Sequence, residues 1–419
     1  MKLEKIILFL IILYLIYQIL CKNNIIEGFK WIKREDCKYK TNKTVLHVLK
    51  KYGIGKGDLT NWDMYLPCTY NNVDLELRSI PPAELGKNLF IINNCDAITS
   101  KNNLWKILVD KHGLMQTLKM MPETYILKNF DMCRYKNKYK ADIKVDNCPY
   151  KFSDFFDNYV ESKRAIGDLD RFIQGHKQGK LYILKKNIQR QKGLKITNKF
   201  NDVIFGKQNG YVIAQDLLQN PYLINGRKIN LRVYLLIVCK NDKIEAYAHK
   251  NGFIYYTAEK FKKNCIEMGP NVTTGYIDRQ VYVDNPLTLE DFRLYLDNQH
   301  RKMGLEEVKL IYDNERKLSK ILFDKIYLIL NKVIEAAVGH ICGTKNVPTH
   351  ISEQTSFQLF GVDFSVSDKL EPHIMEINKG PDLGAKDKRD KHVKIGVATD
   401  ILTTLGLTNE TMNNFIKIY

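Results

Sequence analysis

The sequence lacks any Cys-x-x-Cys pair, although it contains nine cysteines spread over the whole chain. Closely spaced pairs are typical of structural zinc sites, and a regular cysteine pattern is typical of a disulfide framework. The spacing therefore favours neither and indicates reduced thiols. Internal repeats and low-complexity segments are also absent from the sequence, so the chain is not built from a repeated unit.

An apolar run of full membrane-spanning length is missing from the N-terminus as well. Residues 6–20 are apolar except for Gln18, and as a helix they would extend about 22–25 Å, slightly less than the roughly 30 Å hydrocarbon core. The flanking Lys5 and Lys22 could reach the interface and close that gap. A cleaved signal peptide is the alternative, but no small-x-small cleavage site follows the run.

Basic residues are more numerous after this run than before it. The positive-inside rule therefore places the remaining chain in the cytosol. We expect residues 1–21 to form the anchor of a single-pass membrane protein, with the membrane contact made through residues 6–20.

Acidic residues are scarce relative to basic ones, 47 against 65, which gives a formal net charge of +18. This excess predicts attraction to a polyanion, and composition alone leaves nucleic acid, anionic lipid and an acidic protein as candidates. The 419 residues have room for two or three lobes, and the 44% of hydrophobic residues allow a proper core.

Two segments near the C-terminus, residues 357–364 and 371–381, alternate apolar and polar residues as strands do, and they suit a hairpin. Glu376 and Asn378 then share one face, and Asp363 on the neighbouring strand adds a third oxygen ligand. Two carboxylates and an amide oxygen are hard ligands suited to Mg²⁺. An ordinary hairpin with a polar face is the alternative.

Three further segments have candidate binding residues. Lys185 ends an apolar strand that opens into a basic loop containing Lys192 and Gly193, an arrangement that can grip phosphates. Gln215 closes another apolar strand just before Leu217, where amide and backbone groups can meet a purine edge. Within residues 228–233 the polar side chains share one face, although each of these features also occurs by chance on an ordinary surface.

Taken in order, these segments resemble the tubulin–tyrosine ligase-like family of ATP-grasp enzymes over roughly residues 88–406. The matching segments are Thr-Ser-Lys-Asn-Asn-Leu (99–104), Met-Pro-Glu-Thr (121–124), Tyr-Ile-Leu-Lys (182–185), Gln215 with Asn220-Pro221, Arg-Lys-Ile-Asn-Leu-Arg (227–232), Phe-Gly-Val-Asp-Phe (360–364) and Glu-Ile-Asn-Lys-Gly-Pro (376–381). The resemblance implies an α+β, ATP-grasp fold in which two α+β lobes clamp ATP.

The implied domains are the anchor, an N-terminal region or linker of uncertain structure (22–87), an N-terminal lobe (88–180), and central and C-terminal ATP-grasp lobes (181–419). Within the last of these, the apolar stripe and the stop at Gly339 favour a long helix over residues 313–339.

The family's chemistry is an ATP- and Mg²⁺-dependent ligation. The γ-phosphoryl group goes to a carboxylate, and the amine of a free amino acid attacks the acyl phosphate to form an amide. The usual acceptor is the acidic tail of tubulin, which a strongly basic chain would attract; no nucleic acid is expected as a partner. A catalytically impaired ATP-grasp module that only binds an acidic protein is the alternative.

Residue roles follow from the resemblance. Asp363, Glu376 and Asn378 would hold Mg²⁺. The expected catalytic residues are Lys101, Asn230 and Arg232. The expected ATP-binding residues are Lys185, Lys192, Gly193, Gln215 and Leu217, with Gln215 and its neighbours lining the adenine pocket.

Four positions depart from the family pattern. Asn230 replaces an aspartate, Tyr255 replaces an arginine, Thr273-Thr274-Gly275 replaces a Thr-Asn motif, and the phosphate loop has a single glycine. These departures put turnover in doubt and leave the added amino acid open.

Five basic residues, Lys386, Lys388, Arg389, Lys391 and Lys394, follow the second segment directly. They are interpreted either as a solvated helix face or as a cationic rim that attracts an acidic peptide.

Overall fold

The computed structural model describes residues 28–139, 167–187, 193–241, 243–274, 277–302, 317–343 and 349–419. The predicted anchor, residues 1–21, and the predicted phosphate ligand Lys192 lie outside these ranges.

The strands of the described residues are β1 (Lys30–Ile32), β2 (Gly55–Lys56), β3 (Met64–Tyr65), β4 (Asn88–Leu89), β5 (Thr124–Ile126), β6 (Tyr182–Lys185), β7 (Leu194–Thr197), β8 (Ile213–Asp216), β9 (Leu223–Ile224), β10 (Arg227–Lys240), β11 (Lys243–Thr257), β12 (Thr273–Thr274), β13 (Thr355–Val366), β14 (Pro372–Lys379) and β15 (Phe415–Lys417).

The α-helices of the same residues are α1 (Lys43–Lys51), α2 (Val73–Arg78), α3 (Asp96–Thr99), α4 (Lys101–His112), α5 (Leu114–Met120), α6 (Met132–Tyr139), α7 (Asp168–Gly175), α8 (Phe200–Ile204), α9 (Val281–Asp284), α10 (Leu289–Lys302), α11 (Leu318–Ala337), α12 (Thr349–Ser352) and α13 (Lys388–Thr404).

Two sheets organise these elements. The larger has the order β12-β11-β10-β13-β4-β3-β1-β2, and β14 pairs with β13 beside that path. Strands β10, β11, β13 and β14 pair antiparallel, whereas β4 joins β13 in parallel. The smaller sheet has the order β5-β8-β6-β7 and is antiparallel throughout. The predicted mixed α+β architecture is therefore confirmed.

The N-terminal region contributes directly to the larger sheet. Strand β3 pairs in parallel with both β1 and β4, and β4 continues to β13. Trp31, Met64 and Tyr65 are buried in the main core. Residues 28–87, for which the sequence indicated little structure, thus extend the sheet that contains the Asp363 strand, to which β4 connects them. The domain boundaries at 88 and 181 stay predictions.

Among the residues that the structure describes, two disulfides join distant parts of the chain, so the predicted reduced state of these cysteines is wrong. Cys37 bonds Cys68, with their Cα atoms 5.5 Å apart, and Cys239 bonds Cys342. The partners are separated by 31 and 103 residues in sequence, so no local spacing pattern reveals them. Within the described ranges, Cys95 and Cys265 have free thiols.

The predicted membrane localisation is also corrected. Among the residues that the structure describes, no helix has the length and apolar character needed to cross a membrane. Residues 6–20 lie outside those ranges. A single-pass membrane protein with a cytosolic remainder is therefore not supported.

Candidate active site

The hairpin of β13 and β14 brings the three predicted metal ligands together. Asp363 lies directly opposite Glu376, and Asn378 lies opposite Gly361. The Asn378 amide donates hydrogen bonds to Asp363 Oδ2 and Glu376 Oε1, both at 3.2 Å. Because side chains alternate along a strand, Glu376 and Asn378 reach the same side of the sheet. The predicted hairpin is confirmed.

Arg232 meets this cluster from the adjacent strand β10, where it is the register partner of Asp363. Its Nε donates to Asp363 Oδ1 at 2.5 Å and its Nη2 to Oδ2 at 2.9 Å. Burial raises the pKa of the Asp363 carboxyl, and the neighbouring Arg232 guanidinium opposes that rise only in part. The bidentate geometry is the strongest form of this kind of contact.

Lys101 and Lys185 approach Glu376 from two other elements. Lys101, at the start of α4, has its Nζ 3.7 Å from Glu376 Oε2. Burial by itself would raise the pKa of Glu376, but the charges of Lys101 and Lys185 and the Asn378 hydrogen bond more than offset it, so the pKa lies below its usual value. Two carboxylates, an amide and three cations, Arg232 included, thus form one polar centre.

Lys185 ends β6 in the smaller sheet and is buried there. Its Nζ donates to Gln215 Oε1 at 2.7 Å and to the Met375 carbonyl on β14 at 3.5 Å. Burial lowers its pKa to about 8, partly countered by Glu376 and Asp363. Lys185 therefore connects the two sheets at the polar centre.

Gln215 is fixed between two partners, because its Nε2 also donates to Thr124 Oγ1 at 2.9 Å. Beside it, Leu217 packs with Leu181, Ile183 and Ile196 in a small apolar cluster. An apolar wall next to an ordered amide suits a flat, polar-edged ring such as a purine. The predicted adenine residues therefore lie together.

Lys228 is a residue that the sequence analysis did not single out as a ligand. It lies on β10 two positions before Asn230, and it is 3% exposed. Burial, and then the charge of Lys185, lowers its pKa to about 8. The sequence could have indicated Lys228 as a site residue, because it alternates with Asn230 and Arg232 and so shares their face of the strand.

Asn230 and Tyr255 also lie at this centre and are register partners across β10 and β11. The buried Oδ1 of Asn230 has no hydrogen-bond partner among the described residues. The Arg232 guanidinium carbon is 5.2 Å from the centroid of the Tyr255 ring, a cation–π contact. Tyr255, for which the resemblance implied an arginine, therefore contacts Arg232 through its ring and adds no positive charge.

Gly193 closes the loop between β6 and β7, where it has φ +81° and its carbonyl accepts from Lys186 N at 3.0 Å. A side chain there would crowd Lys186, since a Cβ would lie 2.8 Å from the Lys186 Cβ.

The basic residues after β14 are not uniformly exposed. Lys394 is 4% exposed, and its Nζ donates to the Gly384 carbonyl at 2.6 Å and pairs with Asp390 at 3.0 Å. At least this member of the predicted cationic rim is a structural residue.

The residues present fit Mg·ATP by their chemistry. Carboxylate and amide oxygens are preferred Mg²⁺ ligands, and buried lysine and arginine side chains suit phosphate oxygens. In the described ranges no group of three or more His, Cys, Asp or Glu side chains could hold a metal ion. The candidate set differs from such a group because its third ligand is the Asn378 amide.

The mixed α+β fold places this polar centre where the smaller sheet meets the larger one. The chain belongs to the Tubulin-tyrosine ligase family, whose model matches residues 89–414. That range contains every candidate metal, phosphate and adenine residue discussed above.

Three relatives show how close the similarity is. A probable alpha-tubulin polyglutamylase of Tetrahymena thermophila is 23% identical over 320 residues, which cover 70% of this chain and 73% of the relative. A probable tubulin polyglutamylase of Rattus norvegicus is 29% identical over 196 residues, covering 45% of this chain and 37% of the relative. A human tubulin polyglutamylase is 24% identical over 253 residues, covering 58% and 26%. The chain therefore spans less than half the length of the rat and human relatives.

Proposed function

We propose that the chain is an ATP-dependent carboxylate–amine ligase that joins a free amino acid to the acidic tail of a protein, with tubulin as the acceptor. The convergence of Asp363, Glu376 and Asn378 with Lys101, Lys185 and Arg232 is the observation that supports this proposal. The polyglutamylase names of the relatives make glutamate the first amino acid to test.

In the proposed reaction an acceptor carboxylate oxygen attacks the γ-phosphorus of ATP, and ADP leaves. The amino-acid nitrogen then attacks the acyl carbon, phosphate leaves with the bonding electron pair, and the nitrogen loses a proton. Mg²⁺, when bound, would neutralise charge on the phosphates. The protein's part is to position these groups and to stabilise the negative charge that develops.

Arg232 has two tasks in this scheme. In the structure it donates to both oxygens of Asp363, and each oxygen keeps a further lone pair that could ligate a metal. The guanidinium thereby orients Asp363, and it lies beside the carboxylate cluster, where it can contact a phosphate or the acyl phosphate. Lys101 and Lys185 supply further fixed positive charge close to Glu376.

The alternative is a module that binds an acidic protein and nucleotide without turnover. Asn230 favours it, because an amide that replaces an aspartate cannot neutralise the ammonium of an incoming amino acid. The same centre would then retain Mg·ATP through the intact Asp363, Glu376 and Asn378.

The deciding experiment is incubation of the chain with ATP, Mg²⁺, tubulin and each labelled amino acid in turn. Label that enters tubulin only when ATP is present, and not with Glu376→Gln, supports the ligase. Mg·ATP binding without incorporation of any amino acid would support the binding module instead.

A further inference from the structure

A cavity of about 210 Å³ lies between the N-terminal region and the loop that follows β14. Its walls include Val45 of α1, Leu66, Leu359 of β13 and Leu383. Lys33, Tyr39 and Lys40 line it as well, and Tyr39 and Lys40 are exposed. The cavity is thus apolar inside, with basic groups at its edge.

The cavity and the polar centre lie along the same strand, β13. Leu359, Gly361 and Asp363 share a face of β13 because alternate residues point the same way. At about 3.3 Å per residue, Leu359 lies roughly 13 Å from Asp363. Between them, a Cβ at Gly361 would lie 3.0 Å from Arg232 Cδ and 3.1 Å from Pro381 Cβ. The absence of a side chain at Gly361 therefore leaves space for Arg232 and Pro381 to pack against the strand at this point.

Covalent and hydrogen-bonded contacts hold the cavity walls in place. The Cys37–Cys68 disulfide joins two of the segments that line it. The Thr44 hydroxyl donates to the Leu383 carbonyl at 2.7 Å, which fixes α1 to the loop after β14. Gly380 packs on Tyr70 so closely that a Cβ there would lie 2.3 Å from a ring carbon.

The charges at the edge favour an anionic occupant. Lys33 and Lys40 line the cavity, and the acidic group beside them, Asp382, is directed into its own loop, where it accepts from Gly384 N at 2.7 Å. An apolar interior with a basic edge is complementary to an acidic peptide that contains one apolar side chain.

We propose that this cavity binds an apolar side chain of the acceptor peptide, located about four residues from the carboxylate that is modified. This inference rests on the proposed function. In an extended peptide, residues four apart lie on the same side and about 13 Å from each other, which matches the separation of the cavity from Asp363. The cavity would then determine which carboxylate of an acidic tail reaches the polar centre.

The test is binding of fluorescent acidic peptides to the full chain with Mg²⁺ and a non-hydrolysable ATP analogue. Each peptide contains one glutamate, several aspartates and a single leucine placed two, four or six residues from the glutamate. The variants are Lys40→Glu at the edge and Val45→Phe, which narrows the cavity. Lys56→Glu, the same charge reversal at an exposed position of β2 outside the cavity, is the matched control.

We expect the peptide with four-residue spacing to bind at least fivefold more tightly than the others. Lys40→Glu and Val45→Phe should remove that preference without changing analogue affinity, whereas Lys56→Glu should keep it. If the wild-type chain binds all acidic peptides equally, or if both cavity variants keep the preference, the cavity assignment fails while the proposed function stands. If the wild-type chain binds no acidic peptide, the proposed acceptor class fails and the assignment with it.

Discussion

Arg232 and Asp363 are register partners on adjacent strands, and the guanidinium donates to both oxygens of the carboxylate at 2.5 and 2.9 Å. The pair is mostly buried, with side chains 15% and 11% exposed. A candidate metal ligand is thus neutralised by a protein cation before any metal binds.

This pair should be costly to break from one side only. Arg232→Met leaves the Asp363 carboxylate buried without its partner, so the free energy of unfolding should fall by about 3–5 kcal/mol. The double variant Arg232→Met with Asp363→Leu should lose less than Arg232→Met alone. Urea unfolding without nucleotide measures both, and a double variant that is less stable than the single one would contradict the assigned coupling.

Glu376 should be needed for nucleotide binding. Glu376→Gln removes one of two carboxylates from the candidate metal set, and a lost charge-assisted contact costs about 1.5–3 kcal/mol. Mg·ATP affinity, measured by calorimetry, should therefore fall about tenfold or more. Glu371→Gln changes an exposed carboxylate just before β14 that pairs with Lys325 and should leave affinity unchanged. Equal affinity in the Glu376 variant and the wild type would show that Glu376 is not a ligand.

Mg·ATP binding should take up protons near pH 8. The pKa values of Lys185 and Lys228 are lowered to about 8 by burial, and bound phosphates would stabilise their charged forms. Affinity should therefore fall as pH rises from 7 to 9, because protonation then has to accompany binding. Calorimetry in buffers of different ionisation enthalpy measures the uptake.

Lys228→Met should reduce this proton uptake, and Lys240→Met, at the exposed end of the same strand, should not. An unchanged uptake in the Lys228 variant would remove Lys228 from the phosphate site.

The substitution Asn230→Asp tests the departure from the family pattern that is most directly related to turnover. A carboxylate at this position can pair with the ammonium of the incoming amino acid, and such a contact contributes about 1.5–3 kcal/mol. We expect the amino-acid KM to fall about tenfold or more in the labelling assay, with Mg·ATP affinity little changed. Asn230→Ala is the control for loss of the amide. If Asn230→Asp and Asn230→Ala behave alike, the residue does not contact the amine.

The Cys37–Cys68 disulfide should stabilise the N-terminal region. A cross-link of this kind typically contributes about 2–4 kcal/mol, so Cys37→Ser with Cys68→Ser should lower the free energy of unfolding by that amount. Cys265→Ser, at a free and half-buried thiol, should have little effect. Reductant should destabilise the wild type more than the double variant. If it destabilises both equally, the Cys37–Cys68 disulfide does not contribute to stability.

The parts of the fold that local pattern determines could be predicted from the sequence. The hairpin of β13 and β14 follows from alternation, and the apolar stripe of α11 ends at residue 337, just before Gly339 with φ +80°. Asp363, Glu376 and Asn378 converge because alternation fixes their face and pairing fixes their register. The bonded cysteine partners are 31 and 103 residues apart, and tertiary packing rather than any local signal determines such separations.

Burial of charged residues was the second feature that the sequence did not reveal. Lys394 belongs to a run of basic residues that predicts an exposed position, yet it is 4% exposed and its ammonium bonds the Gly384 carbonyl and Asp390. Lys228 likewise is a lysine in a strand of alternating polar and apolar residues, a pattern that predicts an exposed position. Both become buried because a second layer covers the strand or helix face, and a single sequence does not show which faces are covered.

The contact between Lys185 and the Met375 carbonyl, at 3.5 Å, crosses from the smaller sheet to the larger one. Separation of the sheets would hydrate the Lys185 ammonium and return its pKa towards that of a lysine in water, because burial is the largest cause of the lowered pKa. The protonation state of Lys185 therefore depends on the distance between the two sheets. Magnetic resonance of that ammonium would follow opening and closing in solution without any label on the nucleotide.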